Sequence, residues 1–284
     1  MSDINIIVTG SNSFIGNKII SKYNKRYNFI PYNKKNGYDL KSKLIVTHSK
    51  IDYIIHTAFI KNISTKKNDS DYKANILGVK NCLNLCKKYN AKFIFLSTYV
   101  YGKTDKLPIS ENQKTNPHNS YSKCKLACEK LCKIYSNKYN IDVAVLRIFN
   151  VYGKIQNKNF LISNILQLVK KNYGSKNIIK IYDYGTKRDY LHIDDLVKLF
   201  GKIINKGFIK YKIYNVGSGK SYSLKEILKK INLIYPGIKF NIINFEQESL
   251  VKDTKCNINK LKKTFLWKPT ISLYRGLKLS SFIK

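Results

Sequence analysis

Ile4-Asn5-Ile6-Ile7 runs without a break into VTGSNSFIG, residues 8–16, and helical periodicity follows from Phe14 to Tyr23. An apolar strand, a glycine-bearing turn and a helix in that order constrain this chain more than any other feature. Gly10 permits the tight turn, and Gly16 permits close packing of the helix on a sheet. Backbone N–H groups at the start of the helix then face outward as a cradle for an anion such as a pyrophosphate. Asn12, Ser13, Phe14 and Ile15 complete the loop between the two glycines. Ser13 stands where such a loop commonly carries a third glycine. A small side chain fits there, and the expectation is that its hydroxyl donates to phosphate.

Further β-rich apolar runs recur at 27–31, 53–56, 92–97 and 143–148, with helical periods at 72–89 and 121–139 between them. Strand alternating with helix predicts an α/β protein of Rossmann type, a doubly wound parallel sheet with ligands at the carboxyl ends of its strands. Beyond Asn150 the pattern loosens. Helices are predicted at 159–171, 193–205 and 224–235 and strands at 178–182 and 212–216, which reads as a smaller C-terminal lobe.

The net charge of +36 invites a nucleic-acid partner. Two features oppose it. Arg, which reads phosphates and bases bidentately, occurs only at Arg26, Arg147, Arg188 and Arg275, and the lysines are spread along the whole chain. Abundant Lys, Asn, Ile and Tyr with little Ala is the signature of an AT-rich coding sequence, so no nucleic-acid partner is expected. Cys82 and Cys86, and then Cys124, Cys128 and Cys132, fall at helical steps of four as small apolar residues. No spacing suited to a metal site occurs. The first strand begins within four residues of the first Met, and no apolar run reaches the roughly 18 residues that span a bilayer. The expectation is a cytoplasmic protein with reduced thiols and no membrane partner.

If the loop holds a dinucleotide, the end of the second strand reads its ribose. An acid there suits NAD and a base suits NADP. Asn33, Lys34 and Lys35 follow the strand, which leans towards NADP(H), and Asp39-Leu40 lie slightly further on. Tyr121 and Lys125 are four apart, on one helix face. An ammonium beside a phenol favours the phenolate, which makes Tyr121 a candidate general acid/base with a lowered pKa. The spacing alone decides nothing, because 22 Tyr and 49 Lys (53 basic residues less four Arg) in 284 residues produce about four such pairs by chance, and four occur. Position decides, since only the pair at Tyr121 opens a long periodic helix, the other three being interrupted by glycine or proline. The preceding strand ends in FLSTYVYG and delivers Ser97 to the carboxyl edge of the sheet, where its hydroxyl can orient a substrate oxygen.

With these pieces assembled, the chain resembles the extended short-chain dehydrogenase/reductase family, the NAD-dependent sugar epimerase/dehydratase group. The resemblance rests on VTGSNSFIG, DYIIHTA (52–58), NILGVKN (75–81), STYVYG (97–102), YSKCK (121–125), RIFNVYG (147–153), GTKRDYLHIDD (185–195), YNVGSG (214–219) and LWKPTISLYRGL (266–277), in the family's order. It implies an NAD(P)-binding domain over 1–155 and a substrate-binding lobe over 156–284, with parts of 185–216 returning to the first. It implies catalytic roles for Ser97, Tyr121 and Lys125, the last two also touching the cofactor. It implies a cofactor site including Gly10, Asn12, Ser13, Phe14, Ile15, Gly16, Asn33, Lys34, Asp39, Leu40, Thr57 and Ala58. Ser97, Thr98, Tyr99, Asn150 and Arg188 are implied to meet a nucleotide-diphosphate sugar, Arg188 as the clamp on its phosphates. His56 and His192 are expected to be structural and Trp267 a core anchor. The Arg-Pro-Gly-Asp stretch that the family often has before its last helix is here FEQESLVKD (245–253), so a second arginine is missing, with Lys252 as a possible substitute.

Family 4,6-dehydratases place Asp-Glu after the catalytic Ser/Thr. Here Thr98 and Tyr99 stand there, which argues against dehydration. Hydride transfer at a sugar carbon remains, C4 being the expected one. The expectation leans to an NADP(H)-using 4-ketoreductase of a nucleotide-diphospho-4-keto-6-deoxyhexose, with a 4-epimerase that retains NAD as the alternative. A non-catalytic dinucleotide-sensing regulator is a third reading, which would need the loop but not the Tyr/Lys pair. The resemblance also implies a homodimer formed through the helices at 72–89 and 121–139.

Overall fold

The first apolar run forms β1 (Asn5–Thr9), and four of its five residues are buried. In this computed structural model, residues 4–36, 38–39, 46–61, 70–104, 106–245 and 251–282 are described. Strand β1 lies between β2 (Asn28–Tyr32) and β3 (Tyr53–His56), and β4 (Lys92–Thr98), β5 (Val143–Ile148) and β9 (Tyr211–Val216) extend the sheet in the order β2-β1-β3-β4-β5-β9. The pairings from β2 to β5 are parallel, with Ile7 beside Ile30 and Ile54, and Phe95 beside Val145. The order reverses at β1, which makes the carboxyl end of that strand the switch point where a doubly wound sheet opens a crevice.

Alternation along the strands decides which helix covers which face. Ile7, Ile54, Phe93, Phe95, Val143 and Val145 pack against α2 (Ser70–Tyr89) and α3 (Ser120–Tyr139). The five cysteines at steps of four belong to the same core as buried thiols outside any disulfide. On α1 (Phe14–Tyr23), Tyr23 lies against Gly201 of α5 (Ile193–Lys206), where a Cβ would collide with its ring.

The chain divides into two compact units. One comprises Met1–Gly102, Lys114–Ile148 and Leu199–Tyr214, and the other Lys103–Gln113, Phe149–Lys198 and Asn215–Lys284. In the second unit β8 (Lys187–His192) pairs parallel with β6 (Asn150–Tyr152) and antiparallel with β10 (Ser221–Ser223). Strands β7 (Ile178–Asp183) and β11 (Lys239–Asn244) form a parallel pair. Helices α4 (Leu161–Asn172), α6 (Leu224–Ile234) and α8 (Leu273–Ser280) close its core around Ile165, Ile227 and Leu277, and α7 (Asn259–Phe265) is a shorter turn of helix. Asp195, fully buried, accepts from the backbone of Thr270 (2.9 Å) and Ile271 (2.7 Å). Trp267 is buried and donates to the Asp195 carbonyl at 3.1 Å. Among the described residues no helix is long and apolar enough to cross a membrane.

Candidate active site

The loop after β1 is shaped by backbone contact. Gly10 has φ +65°, and a Cβ there would come within 2.7 Å of the Ala58 nitrogen. At Gly16 a Cβ would lie 2.5 Å from the Gly10 carbonyl oxygen and 2.9 Å from Thr57 Oγ1. Both positions therefore require glycine. Ser13 is the N-cap of α1: its Oγ accepts from the Gly16 amide at 3.1 Å and lies 2.9 Å from Thr57 Oγ1. Thr57 Oγ1 is itself 2.7 Å from the Thr9 carbonyl and 3.0 Å from that of Gly10. Carbonyls cannot donate, so the single Thr57 proton goes to one of them and the Ser13 proton goes to Thr57. This corrects the expectation that the Ser13 hydroxyl donates to phosphate. The side chain turns inward, and the N–H groups of the first turn, at Phe14 and Ile15, have no intrahelical acceptor.

A cleft opens at the carboxyl ends of β1, β2 and β3. Thr9, Gly10, Asn12, Ser13, Asn33, Lys34, Asp39 and Ala58 all line it. Phe14, Ile15, Gly16 and Thr57 are not among its lining residues, and Leu40 lies outside the described residues. Asn33 ties the turn together, donating to Ser11 Oγ at 2.7 Å and accepting from the Asn36 amide at 3.2 Å. Lys34 Nζ lies 3.6 Å from Asp39 Oδ2 in an exposed pair. Tyr32 and Tyr38 stack at 3.8 Å beside them. Phe59, Ile60, Gly78, Asn81 and Cys82 also line the cleft and were not anticipated. Phe59 and Ile60 directly follow HTA at the end of β3, which was the available signal.

Helix α3 begins in a capping box, Asn119 Oδ1 accepting from the Ser122 amide at 2.8 Å. Its first turns carry Tyr121 and Lys125 inward. Lys125 is 3% exposed, and among the described residues its Nζ donates to the Leu96 carbonyl alone, at 2.5 Å. Nζ also sits 3.6 Å from the centre of the Phe59 ring and 4.8 Å from that of Phe95. Burial pushes this amine down to about 7, helped by the nearby Lys61 and opposed by Cys128, Cys124 and Glu129. Tyr121 meets Phe59 edge-on at 5.4 Å, and burial, with Cys124 adding to it, pushes the phenol up to about 12. The expected lowering of the Tyr121 pKa by Lys125 is thus corrected, because burial disfavours the phenolate and disfavours the charge on Lys125 as well. Neither residue is among those that line the cleft, whereas Phe59, whose ring lies against Lys125 Nζ, is.

Ser97 is buried, and its Oγ donates to Glu129 Oε1 at 2.5 Å. Glu129 lies one turn beyond Lys125 and is gripped by Arg147, through Nε at 3.1 Å and Nη2 at 2.7 Å. Arg147 Nη1 in turn donates to the Tyr101 hydroxyl at 3.0 Å. The expectation of a Ser97 hydroxyl offered to substrate is therefore corrected, since its proton is committed to a buried carboxylate. Thr98, half-buried at the end of β4, is the next hydroxyl at the sheet edge. The Tyr99 hydroxyl donates to the Gly102 carbonyl at 2.6 Å. His56 is fully buried with Nδ1 2.8 Å from Thr9 Oγ1, and burial pushes it down to about 3, so the ring is neutral.

In the second unit, Asn150 and Arg188 lie on adjacent strands, with Asn150 opposite Tyr190. Asn150 Nδ2 donates to the Asp189 carbonyl at 3.3 Å, and Arg188 Nη1 donates to the Lys187 carbonyl at 2.9 Å. The carboxylate of Asp189 accepts from the Ser218 amide and hydroxyl (2.6 and 2.7 Å) and from the amides of Gly219 (2.9 Å) and Cys256 (3.1 Å). Burial pushes Asp189 up to about 6 against those bonds, which leaves it ionised at neutral pH. The carbonyl of Lys252 accepts from the Lys187 amide at 2.7 Å, while 246–250 of the FEQES segment lie outside the described residues.

A switch-point cleft walled by a glycine loop, with a tyrosine and a lysine one turn apart on the helix after β4, defines a Rossmann-type α/β protein. The chain belongs to the NAD dependent epimerase/dehydratase family, whose model matches residues 6–217. It is 28% identical over 299 residues to a putative UDP-glucose 4-epimerase of Methanocaldococcus jannaschii, with 96% of each chain covered. It is 34% identical over 210 residues to a UDP-glucuronate 4-epimerase of Thermodesulfobacterium geofontis, covering 72% of this chain and 63% of the relative. Among solved structures, RMD from Pseudomonas aeruginosa complexed with NADPH superimposes with a TM-score of 0.86 at 23% identity, with 97% of each chain covered, a likeness of fold.

Proposed function

We propose that the protein transfers a hydride at C4 of a nucleotide-diphosphate sugar, as a 4-epimerase working with a nicotinamide dinucleotide it retains. The observation that carries this is the convergence of the glycine-loop cleft with Tyr121 and Lys125 around one ring, Phe59. Full-length similarity to a putative UDP-glucose 4-epimerase supports the choice of reaction. The cleft fits a dinucleotide, because Gly10 and Gly16 leave no room for a side chain and the first-turn amides of α1 lack intrahelical partners.

Gly10, Asn12 and Ser13 would hold the pyrophosphate by their backbone, and Asn33, Lys34 and Asp39 the adenosine end. The bound nicotinamide supplies the hydride acceptor and donor. Tyr121 takes the proton from the sugar hydroxyl at its phenolic oxygen and later returns it. Lys125 lowers the cost of the phenolate once its ammonium is hydrated again. Thr98 orients the sugar oxygen, and Asn150 and Arg188 bind the diphosphate. Dehydration has no acid–base pair to use, because neither Thr98 nor the two residues after it, Tyr99 and Val100, carries a carboxylate. The second reading, an NADP(H)-dependent 4-ketoreductase, rests on Lys34 at the ribose end of the cleft. In either case the working form is proposed to be a homodimer in the cytoplasm, with no nucleic-acid partner.

The test is to denature the purified protein, identify any released dinucleotide by chromatography, and assay UDP-glucose without added cofactor. About one equivalent of NAD and formation of the C4 epimer, both activity and product lost in Tyr121→Phe, is the expected result. An empty protein that binds NADPH over NADH favours the reductase. Failure to bind either dinucleotide overturns both readings.

A further inference from the structure

Phe59 meets three things at once. It lines the glycine-loop cleft, stands edge-on to Tyr121 at 5.4 Å, and covers Lys125 Nζ at 3.6 Å. An ammonium has three donors, and here one reaches the Leu96 carbonyl while the others face the rings of Phe59 and Phe95. Lys125 is nearly inaccessible although the cleft beside it is open.

We propose that Phe59 is a displaceable cover over Lys125, and that a dinucleotide seated in the cleft reaches Lys125 only by turning this ring aside and replacing it with ribose hydroxyls. The inference rests on the dinucleotide reading above and adds to it a positioning residue that keeps Lys125 dry until the ligand arrives.

The groups facing Lys125 fix the consequence for its proton. From β3 comes His56, neutral through burial, and from the segment after it Lys61, which repels a second charge. From α3 come Tyr121, the Cys124 and Cys128 thiols, and Glu129, whose carboxylate is already bound by Arg147 and Ser97. Under the ring, burial dominates and holds the amine near pH 7. Opening the cover hydrates Nζ, whose lone pair then takes a proton from the buffer, with no other bond made or broken.

The experiment uses protein freed of nucleotide and lysine acetylation by acetic anhydride at pH 8, read peptide by peptide by mass spectrometry. Lys125 is expected to label slowly in the parent, at least about tenfold faster in Phe59→Ala, and within about threefold of the parent in Phe59→Leu, which keeps an apolar cover. In a second measurement at pH 8.5, saturating NADH or NADPH should draw about 0.9 proton per site from the buffer in the parent and close to none in Lys125→Met. Equal labelling of Lys125 in the parent and Phe59→Ala overturns the cover, as does ligand binding without proton uptake. If neither dinucleotide binds, the functional reading fails, and the labelling comparison still decides on the cover.

Discussion

Replacing Lys125 by Met should make the protein more stable in acid than in base relative to its parent. In the unfolded chain the amine titrates at its ordinary 10.5, and in the folded chain burial holds it near 7. Below pH 7 both states carry the proton, and the folded state bears the whole cost of a buried ammonium, about 5 kcal/mol at 1.36 kcal/mol per pKa unit. Between 7 and 10.5 the unfolded chain binds a proton that the folded chain lacks, so stability rises with pH at about 1.4 kcal/mol per unit. Met has a comparable volume and no charge, and it removes this slope. It also loses the bond to the Leu96 carbonyl, about 1 kcal/mol, but that offset is independent of pH. Urea melts at pH 6, 7, 8 and 9 give the free energies, and the advantage of Lys125→Met over the parent should shrink by about 3 kcal/mol between pH 6 and pH 9. Parallel curves for the two proteins across that range would refute the reasoning, because they would mean that the amine is hydrated in the folded state.

Glu129→Ala should cost about 3–5 kcal/mol in urea melts, since it strands the Arg147 guanidinium in the core. The double replacement Glu129→Leu with Arg147→Met should cost far less than the two single replacements added together, and additivity within about 0.5 kcal/mol would exclude the coupling. Gly16→Ala drives a Cβ to 2.5 Å from the Gly10 carbonyl oxygen. It should destabilise by about 1–3 kcal/mol and abolish retained dinucleotide, both measurable on one preparation.

The sheet was legible because β1, β3, β4 and β5 are buried along nearly their whole length and read as continuous apolar runs, and because helices at steps of four lie between them. The second unit was less so. Strands β6 and β10 are three residues each, NVY and SYS, too short to show a period, and β8 begins with three charged residues. The glycine loop was recognised, but the work of Ser13 was not, because its partner Thr57 is 44 residues away. Arg147 inside the apolar run VAVLRI was a signal that went unused: a charge amid buried strand residues needs a buried counterpart. Glu129, on the same helix face as Tyr121 and Lys125 and one of only 17 acidic residues, was that counterpart. The low pKa of Lys125 had no sequence signal, since it depends on a ring from another element.

The Ser13–Thr57 pair makes the loop after β1 independent of what it binds. Ser13 Oγ accepts from the Gly16 amide and donates to Thr57 Oγ1, whose own proton goes to the Thr9 or the Gly10 carbonyl, so the turn is held by bonds of its own. Little ordering entropy is then lost when a ligand enters, and affinity is set by the contacts made and not by the folding of the loop. A serine at this position thus works as an internal brace.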